Sequence, residues 1–339
     1  MKSFGTSASK AAVVVSTVAS IALACSTASG AVNYWDFNVF SRSTIGTPGQ
    51  GYGSDFQGAS GAVGDVNFNG FTVKGVAGTS SSLARGFYGG GNFTLQGSVD
   101  HDGIEVAGNV TLNSGSVNGI VRAGGNLGGS SGSVNGNAVL GGQKTTGNPL
   151  TVSGSVIENQ PFSPSVNLGA VSSYFAGVGN YAANHAPTTN FSMNFSQMVI
   201  NATGPLTVVN ITAANLAGVW GIHVNGGGTV IVNLAGTNLS LTGLSWSYAG
   251  GSSAQKTLLN MNQATSISMQ GSNEVNMLAA NAAVNFSSGL VTGNLIVGSL
   301  TGSGQVNWNG GFEGGSDIPS AGGVSVLALA GLLASRRRR

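Results

Sequence analysis

Gly91-Asn92-Phe93-Thr94-Leu95, Gly108-Asn109-Val110-Thr111-Leu112, Gly125-Asn126-Leu127 and a degenerate Gly142-Gln143 follow one another at intervals of seventeen residues. Interleaved with them is Gly-Ser-Val, at Gly97-Ser98-Val99, Gly115-Ser116-Val117, Gly132-Ser133-Val134 and Gly154-Ser155-Val156. A repeat this short cannot enclose a core alone, so successive copies must stack. Short alternating strands joined by glycine-rich corners fit one coil of a parallel β-helix. Alternate side chains point into the solenoid, and glycine or asparagine takes the positive φ that tight corners require. The expected fold is therefore mainly β, a parallel β-helix (β-solenoid). A β-sandwich would give similar strands and is the structural rival.

Outward from the repeat, Asn159-Gln160-Pro161-Phe162-Ser163-Pro164 interrupts it with two prolines. Beyond them Val171, Tyr174, Phe175, Val178 and Tyr181 form a helical stripe, predicting one flanking α-helix near 166–184. Ser163 or Ser165 is the candidate cap. From Phe195 onward β-segments return less regularly. Val208-Val209-Asn210, Ile231-Val232-Asn233 and Leu258-Leu259-Asn260 repeat an apolar pair before asparagine, which suggests an asparagine stacked at one corner.

Both ends read as address labels. Residues 1–31 have the plan of a signal peptide: Lys2 and Lys10, an apolar run from Ala11 to Cys25, then small residues allowing cleavage after Gly30 or Ala31. Cys25 is the only cysteine, so the exported chain would hold no disulfide. At the other end, residues 313–339 carry Pro319, an apolar run from Val324 to Ala334 and four arginines, Arg336, Arg337, Arg338 and Arg339. A transmembrane-like helix ending in positive charge is a stop-transfer device, because charge crosses hydrocarbon at high cost. The run is short for a permanent anchor and adequate for transient membrane insertion.

Without Lys2, Lys10 and the four terminal arginines, six cationic side chains remain against ten acids, a net charge near −4, so the basic pI belongs to the ends. Nucleic-acid binding, which needs a basic stripe, is not expected. No Asp, Glu, Lys or Arg occurs from Asn159 to Gln255. Hydroxyls and amides, which ladder well along stacked strands, take their place.

Several of these residues carry a resemblance. Phe37-Asn38-Val39-Phe40, Gly53-Ser54-Asp55-Phe56-Gln57-Gly58 and Gly64-Asp65-Val66 resemble the opening of the choice-of-anchor A family. Met277 to Val284, Gly293 to Leu300 and Gly302 to Asn307 resemble its close. The resemblance spans residues 34–312 within an expected domain 32–312, and implies a secreted or surface-displayed adhesive domain with no catalytic residue to carry over. The tail resembles the PEP-CTERM sorting signal of Gram-negative bacteria, although Asp317-Ile318-Pro319-Ser320 replaces the usual Pro-Glu-Pro. That resemblance implies cleavage by an exosortase-like processing enzyme and release to the cell surface or extracellular matrix.

The residues offer little chemistry. His101, His185 and His223 lie in different segments, and no nucleophile elbow, phosphate loop or zinc spacing occurs. The one local carboxylate cluster is Asp100, Asp102 and Glu105, whose Asp-x-Asp-Gly turn could present hard oxygen ligands to calcium. A solvated turn is the alternative. Trp246 and Tyr248 share one strand face by alternation and are candidates for stacking on sugar rings, with core packing as the alternative. The expectation is a non-enzymatic adhesive protein binding extracellular polysaccharide or another surface ligand. A carbohydrate-active β-helix enzyme, a lyase or hydrolase built on clustered carboxylates, is the competing function.

Overall fold

The structure, a computed structural model, describes residues 32–78, 82–145 and 149–318. The expected signal peptide, Pro319 and Arg336 to Arg339 lie outside them. Among the described residues no helix is long and apolar enough to cross a membrane.

The solenoid is present, and the sandwich is not. Twenty-one strands form one hydrogen-bonded sheet whose strand pairings are all parallel. Seventeen-residue steps link Phe93 to Val110, Val110 to Leu127, Ile104 to Val121 and Val121 to Ala138. Each coil contributes to three stacked faces. In one coil these are Ile104–Val106, then the first and second halves of the bulged strand Val110–Asn118. Inward-facing Val99, Val117, Val134 and Val152 stack on one another along the third face. In the middle coils the interior is wide and filled by Tyr52, Phe56, Phe68, Phe71, Phe87 and Phe93, with Phe68 and Phe71 stacked 4.2 Å apart. Leucines and valines replace them toward the Leu140 end, so the core tapers.

The recurring Gly-Asn corner has a mechanical role. Asp65 accepts the Asn92 amide at 2.7 Å, Asn92 accepts that of Asn109 at 3.0 Å, Asn109 that of Asn126 and Asn126 that of Gln143, both at 2.8 Å. Each side chain thus satisfies a backbone donor one coil away that the turn would leave unpaired. Gly97 shows why the next corner needs glycine: its φ is +124°, and a Cβ there would sit 2.0 Å from the Phe71 carbonyl oxygen.

Coil order along the axis departs from chain order. Val39–Ser41 pairs with Ser60–Ala62 on one side and with Leu295–Val297 on the other. The first coil therefore sits in the middle of the stack. From it the chain winds out to Val156–Ile157, returns along the outside as the helix Leu168–Asn184, and restarts at the opposite end with Leu206–Thr212. It then winds inward until its last coils meet its first. Simple stacking of successive copies, the sequence expectation, holds within each half and fails between them. The restart end also carries a four-stranded sheet. It opens with the antiparallel hairpin Phe191–Asn194/Gln197–Asn201, whose turn residues Phe195 and Ser196 both have positive φ, as two-residue hairpins favour.

The seam between first and last coils is closed by buried asparagines. Asn38 donates to the Gly293 carbonyl at 2.8 Å and accepts the Gly58 amide at 3.0 Å. Asn294 donates to the carbonyls of Trp35 and Phe37, and its own amide is accepted by Asn276.

The helix covers the first face, making a second apolar layer. Val171, Phe175, Val178 and Ala182 are buried there, with Phe175 packed 5.7 Å from Phe40 and 5.0 Å from Trp35. Asn167 caps its start by accepting the Ala170 amide, not Ser163 or Ser165. Gly179 lets the helix approach closely, since a Cβ would meet Asn262 Oδ1 at 2.9 Å. Beneath it the asparagines foreseen at one corner do stack. Asn260 donates to Asn233 at 2.8 Å and Asn233 to Asn210 at 2.9 Å, and both also donate to helix carbonyls, of Gly179 and Ala182.

These two asparagine roles predict different costs. Asn38→Ala would strand a buried amide and a buried carbonyl and should lose about 3 kcal/mol, whereas Asn109→Ala on the exposed ladder should lose about 1 kcal/mol. Urea unfolding of the two variants measures this, and equal losses would contradict the seam's special status.

Candidate functional site

The carboxylates of the candidate calcium cluster do not converge. Asp102, with φ +64°, turns its carboxylate to the buried Lys74 ammonium at 2.5 Å. Glu105 faces the opposite way, buried on the first face, where Arg122 one coil away pairs with it. The other Glu105 oxygen accepts the backbone amide and, at 2.9 Å, the hydroxyl of Ser165. Arg122 also donates to the Ser163 carbonyl at 3.2 Å and lies 5.9 Å from the Phe162 ring centroid. Spacing in sequence misled here because Asp102 ends one face and Glu105 belongs to the next. The pair anchors the proline-rich crossover to the solenoid, just before the helix. Asp100 remains on the turn, half-buried, and among the described residues no group of three His, Cys, Asp or Glu could hold a metal.

Trp246 and Tyr248 do share a face, with rings 6.5 Å apart and inclined by only 15°. That face points inward. Trp246 stacks in register on Ile222, and Tyr248 on Val224, in the core of the restart end. Tyr248 donates its hydroxyl to the Glu274 carbonyl, and burial, reinforced by the Glu274 charge, pushes its pKa up. Trp246 is 7% exposed, so its ring offers no surface to a sugar.

Other carboxylates of the solenoid are dispersed. Asp36 accepts from Ser82, Asp65 heads the corner ladder, and Glu158 accepts the Lys144 amide at 2.8 Å. His223 is bonded to Ser247 on the outer side of its strand.

The repeat instead builds surface. On the second face, Ser240, Ser268, Asn285 and Thr301 stand in register, and past Gly46 the row resumes as Asn67, Thr94 and Thr111. On the third face a parallel row runs Asp55, Thr72, Ser98, Ser116, Ser133 and Thr151. Every member is exposed or half-exposed. Successive hydroxyls and amides are spaced by the strand separation, about 4.8 Å. Such rows are rigid, flat and almost uncharged, able to make many weak hydrogen bonds to an ordered polar partner. They supply no paired acid and base.

The Glu105–Arg122 pair yields a test. Arg122→Met would leave a buried carboxylate facing no cation and should destabilise the fold by about 3–5 kcal/mol, while adding Glu105→Met should recover much of the loss. Thermal unfolding of single and double variants reads this; a double variant no more stable than the single would contradict the assignment.

One comparison with known proteins gave a result. A family model described as "Putative Ice-binding-like adhesive domain" matches residues 33–308, nearly all of the described solenoid. No curated protein and no solved structure matched the chain.

Proposed function

The chain belongs to this ice-binding-like adhesive domain family, and from that premise we propose that it is a non-enzymatic adhesive protein of the cell surface or extracellular matrix, retained by extracellular polysaccharide. The single observation that supports this reading is the pair of in-register polar rows on the second and third faces. An enzyme concentrates a few strong groups in one cleft. This chain spreads many weak ones along a rigid solenoid. Polysaccharide, itself a repeating array of hydroxyls, suits such a surface because the contacts multiply along its length.

In this reading the end segments are delivery devices. Residues 1–31 direct export, and the PEP-CTERM-like tail with Pro319 and Arg336 to Arg339 arrests the chain transiently at the inner membrane of a Gram-negative cell until an exosortase-like enzyme removes it. The choice-of-anchor A resemblance fits this route, since such domains are joined to different anchoring signals.

Incubating the secreted protein with the host's own exopolysaccharide tests the proposal. We expect retention on the polymer with no release of reducing ends or unsaturated products, and a mass lacking the four terminal arginines. Release of reducing ends or unsaturated products by the wild-type protein would establish the carbohydrate-active enzyme instead. A secreted chain still ending in Arg339 would overturn the sorting route.

A further inference from the structure

Arg42 is set apart from the other charged groups. It follows Val39–Ser41, at the corner where the helix-covered face turns into the second face. Its guanidinium is held on three sides. Nε donates to Ser172 Oγ of the helix at 2.9 Å, and Nη1 donates to the Ala280 carbonyl at 3.0 Å and to Asn281 Oδ1 at 2.8 Å. Asn281 donates in turn to Asn262, and Asn262 to Asn180 of the helix, so a polarised line of amides ends at the cation. Nη2 has no partner among the described residues. Nor does any carboxylate there pair with Arg42; the ion pairs are Lys74–Asp102 and Arg122–Glu105. A guanidinium whose orientation is fixed and whose charge is not neutralised is already organised for an anion.

The space before it suits a sugar. Arg42 lines a shallow depression of about 420 Å³ with Ser43, Thr265, Asn281, Gly298 and Ser299 among its walls. Hydroxyls and an amide surround the cation, without the large apolar walls that a peptide side chain would occupy. The depression is also one of a line. Residues leaving the first face at the same corner, in other coils, form a second depression of about 170 Å³ beside Asn210, Asn233 and Asn262. A third, of about 480 Å³, lies beside Gly90, Ala107 and Asn167. Each adjoins the helix, the first through the Arg42–Ser172 bond, the second at Ala183 and the third at Leu168 and Gly169, which offers a path for an extended chain.

We propose that the depression at Arg42 is a subsite for a carboxylated sugar, a uronate unit of an acidic polysaccharide lying along the helix flank. The sugar carboxylate accepts from Nη2, and the hydroxyls of Ser43 and Ser299 exchange hydrogen bonds with the ring substituents. This rests on the adhesive reading above and adds to it the charge class of the ligand and the residue that selects it.

The probes are polygalacturonate and its methyl ester, which differ only in the carboxylate, applied to the immobilised full chain alongside the host exopolysaccharide. Wild-type protein should bind the free acid at least tenfold more tightly than the ester, with a preference that weakens as salt rises. Arg42→Gln should abolish the preference, and Lys256→Gln should leave it intact. Because Arg42 also ties the helix to the strands, Ser43→Glu provides an independent variant; it keeps those bonds, sets a like charge before the ligand, and should abolish the preference too. Equal binding of acid and ester by wild type, or a preference surviving both variants, overturns the subsite and leaves the adhesive reading standing. Binding to none of the three polymers would overturn both.

Discussion

Everything in this fold depends on a strand near the start of the chain acting as an interior strand of the stack. Val39–Ser41 has a parallel partner on each side, one about twenty residues on and the other near residue 296. Parallel pairing of such distant segments carries a high chain-entropy cost and brings little local reward. The seam offsets that cost with apolar burial and with asparagines that pair the facing backbone: Asn38 bonds the Gly293 carbonyl and the Gly58 amide, and Asn294 the carbonyls of Trp35 and Phe37. Two half-solenoids that would otherwise end in open edges thereby become one. The helix follows from the same constraint: a chain that starts in the middle and has reached one end must travel back along the outside to start again.

Much of this was legible in the sequence, and the failures are instructive. Seventeen-residue spacing of Gly-Asn gave the coil, but not the role of its asparagines: they do not take the positive φ expected of corner residues and instead accept the amide of the next coil. The helix was legible from Val171, Phe175 and Val178, whose spacing reports a buried stripe whatever lies beneath. Coil order was not, since no local pattern says that Val39 pairs with Leu295 rather than with nothing. The candidate site fared worse for a related reason. Alternation places Trp246 and Tyr248 on one face but does not say whether that face is inside. Asp102 and Glu105 are close in sequence, yet a corner between them sends one to Lys74 and the other to Arg122. Arg42 was hidden because its partners, Ser172, Ala280 and Asn281, are more than 100 residues away.

Polar side chains divide into two groups by where they point. At corners and under the helix they are consumed by backbone groups that would otherwise be buried and unpaired, so they act as structure. Along the second and third faces they remain exposed or half-exposed, in register and, Asp55 apart, uncharged, so they act as surface. A membership in an adhesive domain family accords with this division. The few charges are divided likewise: Lys74 and Arg122 are spent on the fold, and Arg42 is oriented by it.

The seam is the claim from which the rest follows, and native-state hydrogen exchange tests it most directly. In a solenoid stacked in chain order, the first strand would lie at an edge and its amides would exchange early, like other fraying termini. Here the amides of Arg42 and Gly46 donate to Val297 and Leu300, and that of Leu295 to Asn38. Those amides should exchange only through global unfolding, as slowly as the slowest in the interior coils at Val110 and Val121. Rapid exchange at Arg42, Gly46 and Leu295 with the coils around Val110 still protected would contradict a closed seam.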